Sequence, residues 1–212
     1  MLEGNPAPME IFEELSGKQG LTDAYFSAVL GIIAIITSAY AIRAVLRLRV
    51  EEDGLRADPV LATATPRVRW ACSHLVFGLM VPAVILVVAG AIAGATYGAI
   101  TGDVGGQVPR VLGAAIVQLP AVWVLTGFAM ALFGIAPGQV GVSRVVLVAC
   151  LILGQLGQIL QFPQWALNLS PFSHVPMFPA AEIDPLPLVV LLVIAAALVA
   201  AGLVGFRRRD LR

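Results

Sequence analysis

The sequence predicts an all-α, polytopic transmembrane helix bundle of about five spans. Three observations carry this. Apolar residues make up 59% of the 212 and charged residues only 12%, against roughly a quarter charged in ordinary water-soluble chains. Too few charges remain to cover a water-facing surface, so lipid must be the solvent for much of the molecule. The second observation is five long stretches free of Asp, Glu, Lys and Arg: Ala24–Ile42, Trp70–Gly102, Val111–Ser143, Val145–Ala181 and Pro185–Phe206. A helix rising about 1.5 Å per residue needs roughly 20 apolar residues to cross the hydrocarbon core. The third is the absence of the alternating pattern of membrane strands. With backbone groups obliged to pair internally in lipid, the stretches must be helical.

Trimmed at turn residues, the expected spans are 24–46, 70–99, 110–135, 142–162 and 186–206, following an external segment over 1–23. Residues 1–20 are acidic and lack the basic and apolar regions of a signal peptide. A connection at 47–69 joins the first two spans, and a proline-broken apolar stretch over 163–185 suits an external cap, with Trp165 and Phe172 at headgroup level.

The arginines set the orientation. Arg43, Arg47, Arg49, Arg56, Arg67 and Arg69 bracket the first connection, Arg144 sits in the third, and Arg207, Arg208, Arg209 and Arg212 close the chain. Five spans put these three places on one side, the cytoplasm. Arg110 and Lys18 are all that the other side receives. The N-terminus is therefore expected outside and the C-terminus inside. An external N-terminus with no signal sequence is awkward to make, and a helix upstream of residue 1 would resolve it.

Within the spans, Gly90, Gly94 and Gly98 recur every four residues and share one helix face, where a second backbone can approach. Packing inside the chain is favoured over a dimer seam. Pro82 and Pro120 are expected to kink their helices. Gln155, Gln158 and Gln161 sit three apart on the fourth span and Gln118 lies on the third. They either hydrogen-bond neighbouring helices or form a polar strip along a substrate path. His74 reads as an interfacial histidine.

Absences exclude several functions. No span carries a carboxylate, lysine or arginine near its middle, the groups that ion- and proton-coupled transporters use as relays. There is no GxxxxGK[ST] loop for nucleotide. Cys72 and Cys150 stand far apart in apolar runs, without a disulfide framework or metal-ligand spacing. No Ser/His/Asp constellation sits at helical spacing, and no basic run suggests nucleic acid. Neither a catalytic residue nor a cofactor is expected, so energy for uphill transport has to come from a partner.

The first connection, from Glu51-Glu52-Asp53-Gly54-Leu55-Arg56 through Ala57-Asp58-Pro59-Val60-Leu61-Ala62 to Thr63-Ala64-Thr65-Pro66-Arg67, resembles a signature of type-2 ABC exporter permeases. There, acidic residues, a glycine and a Leu-Ala-Thr-Pro-like stretch before Arg form a short coupling helix that docks on the ATPase. Asn168-Leu169-Ser170-Pro171-Phe172-Ser173-His174-Val175-Pro176 and the ending Gly205-Phe206-Arg207-Arg208-Arg209-Asp210-Leu211 look like the actinobacterial polyketide-antibiotic (tetronasin-like) exporter permeases. The resemblance covers nearly the whole chain. It implies ABC ATPase subunits as partners, a second permease half or a homodimer partner, and lipid around the bundle. It assigns coupling to Glu51, Glu52, Asp58, Leu61, Pro66 and Arg67. The usual Ala-Thr-Pro-Val-Ser-Arg appears here as Ala62-Thr63-Ala64-Thr65-Pro66-Arg67, with the proline displaced. In the family the coupling loop follows the second of six helices, whereas here it follows the first. The chain thus looks like a C-terminal permease half lacking its first helix. The function implied is export of hydrophobic or amphiphilic small molecules such as antibiotics, in the bacterial plasma membrane. The rival reading is a non-transporting membrane scaffold, or an inactive permease fragment.

Overall fold

A computed structural model describes residues 8–54, 67–153, 162–180 and 184–208. Among them every regular element is helical. α1 spans Pro8–Asp53, α2 Arg67–Thr101, α3 Val104–Val117, α4 Leu119–Ile135, α5 Val142–Leu151, α6 Gln164–Leu167 and α7 Pro185–Arg208. Four helical stretches are long and apolar enough to cross a membrane: Gly20–Glu52, Val68–Thr101, Val104–Ile135 and Pro185–Arg208. The chain is a helical, multi-pass membrane protein.

Several boundaries differ from those expected. The first helix does not begin at 24 but at Pro8, and its 46 residues would extend about 69 Å at helical rise. Most of the segment expected to be external is therefore continuous helix with the first span. The 110–135 helix begins earlier, at Val104, and breaks at Gln118 into α3 and α4. For the 142–162 span, α5 covers Val142–Leu151 and passes into a wider π-helical turn at 152–153. Residues 154–161 lie outside the described residues, and Phe162 is not helical.

Two prolines act differently because of where they fall. Pro120 sits in the first turn of α4, where its missing N–H costs least, so the chain restarts a helix there. Pro82 lies inside α2, which runs through it. A proline there leaves the preceding turn short of a donor. The Leu79 carbonyl in that turn accepts the indole N–H of Trp123, on α4, at 3.2 Å. The carbonyl that Pro82 deprives of a partner is that of Gly78, one residue earlier, so the indole bond ties α4 to α2 beside the proline without replacing its N–H.

The α2–α3 hairpin turns in two residues. Gly102 takes φ +76°, the left-handed conformation that glycine adopts without steric cost. Asp103 then caps α3, accepting the Gly106 N–H at 3.0 Å.

Helix packing is written in small residues. α4 packs most extensively on α7, α2 on α3, and α1 on both α2 and α4. Gly90, Gly94 and Gly98 face α3: a Cβ on Gly94 would stand 2.8 Å from the Val108 Cα, and one on Gly98 2.6 Å from the Val104 Cα. The four-residue stripe is an intramolecular seam. A second seam joins α4 to α7 through Gly127, Gly134, Gly202 and Gly205, with backbone on backbone. Its glycines stand seven apart on α4, so a search for four-residue spacing passes over them.

The span Val104–Ile135 has 72% of its apolar window buried, against 17% for Pro185–Arg208. The broken helix is therefore central and α7 peripheral, with Val189, Val190, Val193 and Ile194 exposed. Such a face suits hydrocarbon and no aqueous surface.

Candidate functional site

The two helix ends that flank residues 55–66 are tied to each other and to the rest of the bundle. At the end of α1, Glu51 Oε2 lies 3.2 Å from His74 Nε2 on α2. Glu52, half-buried, pairs back to Arg49 at 3.5 Å. On α2, Trp70 stands edge-on to His74, with ring centres 5.7 Å apart. Trp70 also meets Phe206 of α7 at 6.0 Å, and Phe206 meets Phe133 of α4 at 5.2 Å. Phe206 and Phe133 are fully buried. They belong to a cluster with Ile42, Val45 and Leu48 of α1, Leu125 and Met130 of α4, and Cys150 of α5. Aromatic pairs at these separations add about 0.5–1.5 kcal/mol each beyond the area they bury. The helix ends that flank residues 55–66 thus join α1, α2, α4 and α7 through contacting side chains.

Above this cluster the central span is broken. Gln118 is buried at the break; its N–H bonds the Ala115 carbonyl at 3.2 Å, and its own carbonyl accepts Val122 N–H at a long 3.4 Å. The ladder is loosened here, and Pro120 follows two residues on.

At the far end, Asp23 of α1 pairs with Arg110 of α3. Asp23 is 6% exposed, so the pair removes a carboxylate from lipid by matching it to a guanidinium. Nearby, Ser27 Oγ donates to the Phe178 carbonyl at 2.8 Å, fastening the 163–180 stretch to α1. Trp165 of that stretch is exposed. Phe172 instead turns inward and packs against all three apolar clusters of the bundle.

Against known proteins, the chain matches the family model described as multidrug efflux system permease Rv1217c, C-terminal domain, over residues 1–207. The chain belongs to this family. It is also 42% identical over 211 residues to the multidrug efflux system permease protein Rv1217c of Mycobacterium tuberculosis (strain ATCC 25618 / H37Rv). That match takes in 100% of this chain and 38% of the relative, so the chain spans well under half of that permease's length. Membership in this efflux permease family, together with the apolar helices, makes the chain a multi-pass protein of the bacterial plasma membrane.

Of the coupling residues expected from sequence, Glu51 and Glu52 close α1 and Arg67 opens α2. Asp58, Leu61 and Pro66 lie outside the described residues. Gln118 lies at the helix break, while Gln155, Gln158 and Gln161 lie outside the described residues. Sequence reasoning missed the Asp23–Arg110 pair, whose partners are 87 residues apart, and the Trp70–Phe206–Phe133 stack. The signal for the stack was the siting of Trp70 and Phe206 beside arginines at two span ends.

Proposed function

We propose that this chain is a transmembrane permease domain of an ATP-driven ABC exporter for hydrophobic or amphiphilic small molecules, with ATP hydrolysed on separate ATPase subunits. Its kinship with a multidrug efflux permease supports the class. The observation that carries the mechanism is the linkage of both flanks of residues 55–66 to the bundle core, through Glu51–His74 and Trp70–Phe206–Phe133.

The ATPase docks on the segment 51–67, which carries Glu51, Glu52, Asp58, Pro66 and Arg67 with Leu61 in its apolar middle stretch. When two ATPase subunits close, they push this segment. The inner ends of α1 and α2 move together, because Glu51 and His74 join them. Trp70 passes the displacement to Phe206 and Phe133, hence to α7 and α4, and α4 swings at Gln118. The glutamines at 118, 155, 158 and 161 line the path that the swing opens. The arginine-rich ends face the cytoplasm, as the positive-inside rule requires, and 163–185 faces outside. A second permease half completes the path. The sequence likeness to polyketide-antibiotic exporter permeases favours lipophilic antibiotics as cargo. Apolar walls suit such cargo entering from the bilayer.

Co-purification with a candidate ABC ATPase, followed by an ATPase assay with a lipophilic antibiotic series, tests the reading. Stoichiometric capture and drug-stimulated turnover are expected. A chain that captures no ATPase under any condition is a scaffold rather than a permease.

A further inference from the structure

At the arginine-rich end, α1, α2 and α5 enclose a groove of about 930 Å³. Arg43 and Arg47 stand one turn apart on α1, Arg144 faces them from the first turn of α5, and His74 closes the α2 side, with Tyr40 and Phe77 on the wall. Arg49 and Arg110 have carboxylate partners. Arg43, Arg47 and Arg144 have none among the described residues, and of the groove's basic groups only His74 meets an acid there, Glu51. Three guanidinium groups around one groove repel each other until an anion joins them. The planar fork of arginine fits phosphate oxygens two at a time.

A second groove begins at the same arginine. It holds about 430 Å³ and runs along α5 past Val145 and Val148 to Ile152, eight residues or about 12 Å up the helix axis. Beyond Arg144 its lining is entirely aliphatic or alanine. A free phosphate would use the first groove and leave the second idle, whereas a phospholipid uses both. Basic recesses between membrane helices at the inner surface hold anionic headgroups in this way.

We infer that Arg43, Arg47, Arg144 and His74 form a binding site for an anionic phospholipid, the phosphate held among the arginines and one acyl chain laid along Val145–Ile152. The site requires neither an ATPase nor transport.

Native mass spectrometry of the purified 212-residue chain tests it, with phosphatidylglycerol and phosphatidylcholine of identical acyl chains as probes. Phosphatidylglycerol should be retained in preference. At about fivefold per arginine, Arg43→Gln/Arg47→Gln/Arg144→Gln should weaken its retention about a hundredfold and weaken that of phosphatidylcholine, whose choline cation offsets its phosphate, far less. If the triple variant fails to fold, Arg144→Gln alone carries the test, with a loss of about fivefold. Arg207→Gln/Arg208→Gln, which removes charge from the same end but outside the groove, should keep the preference. Parity between the two lipids in the parent overturns the site, as does undiminished preference in the arginine variants or its equal loss in the Arg207/Arg208 control. Displacement of phosphatidylglycerol by millimolar inorganic phosphate overturns the lipid assignment in favour of a bare anion site.

Discussion

Replacing Gly202 by leucine should unseat α7 from α4. A Cβ at this position would stand 2.6 Å from the Met130 carbonyl carbon and 2.8 Å from the Ala131 nitrogen. Both are backbone atoms of α4, which cannot rotate aside as a side chain can. Ordinary contact begins at 3.4 Å, so the Cβ alone forces the helices apart by most of an ångström. The rest of the leucine side chain needs more. Overpacking of this kind costs about 1–3 kcal/mol, and leucine belongs at the upper end. Gly20 provides an internal control. It lies in α1 with nothing within 4 Å of a built Cβ, so Gly20→Leu gains about 1 kcal/mol of helix propensity and meets no obstacle. Gly202 also lies within a helix and gains the same propensity, so the two sites should differ by the overpacking cost alone, about 2–3 kcal/mol. Reversible unfolding of the detergent-solubilised chain by dodecyl sulfate, followed by circular dichroism, measures it. Equal midpoints for Gly202→Leu and Gly20→Leu would refute the α4–α7 seam.

Three other outcomes are expected. Asp23→Ala should destabilise the chain by about 1–3 kcal/mol by leaving the partly exposed Arg110 unmatched, and Asp23→Arg/Arg110→Asp should recover part of the loss in the same titration. Phe206→Ala should cost about 3–5 kcal/mol and, under the coupling reading, abolish drug-stimulated ATPase turnover while leaving ATPase capture intact. Single cysteines at 5, 56, 105 and 210, in a background lacking Cys72 and Cys150, should be labelled by an impermeant thiol reagent from outside at 5 and 105 only. Labelling of 56 from outside would reverse the orientation.

The span pattern was legible in the sequence because a membrane core demands long uninterrupted apolar runs, and four of them appear as helices, the first and third beginning earlier than expected. The Gly90–Gly94–Gly98 stripe announced its own partner face, since a four-residue repeat on a helix has no other geometry. The extension of α1 back to Pro8 was hidden, because polar helix and polar loop share a composition. The break at Gln118 was half legible: Pro120 marked it, yet Pro82 gave the same sign inside a helix that continues. What separates them is context: Pro120 falls in the first turn of α4, whereas Pro82 falls in the interior of α2. Asp23 looked like a boundary residue and Phe172 like an interfacial anchor. Each turns inward because of a partner supplied from far along the chain, Arg110 for the first and the three apolar clusters for the second. Long-range pairing of that kind leaves no local trace.

The central claim is that residues 51–67 receive the ATPase, and Leu61 tests it most directly. A leucine buried in a partner groove is worth about 2–5 kcal/mol, whereas an exposed charge pair is worth about 0–1 kcal/mol. In a pull-down of the ATPase by the membrane-inserted chain, Leu61→Asp should abolish capture while Glu51→Ala only weakens it. Capture by Leu61→Asp equal to that of the parent, with insertion unchanged, would contradict the account.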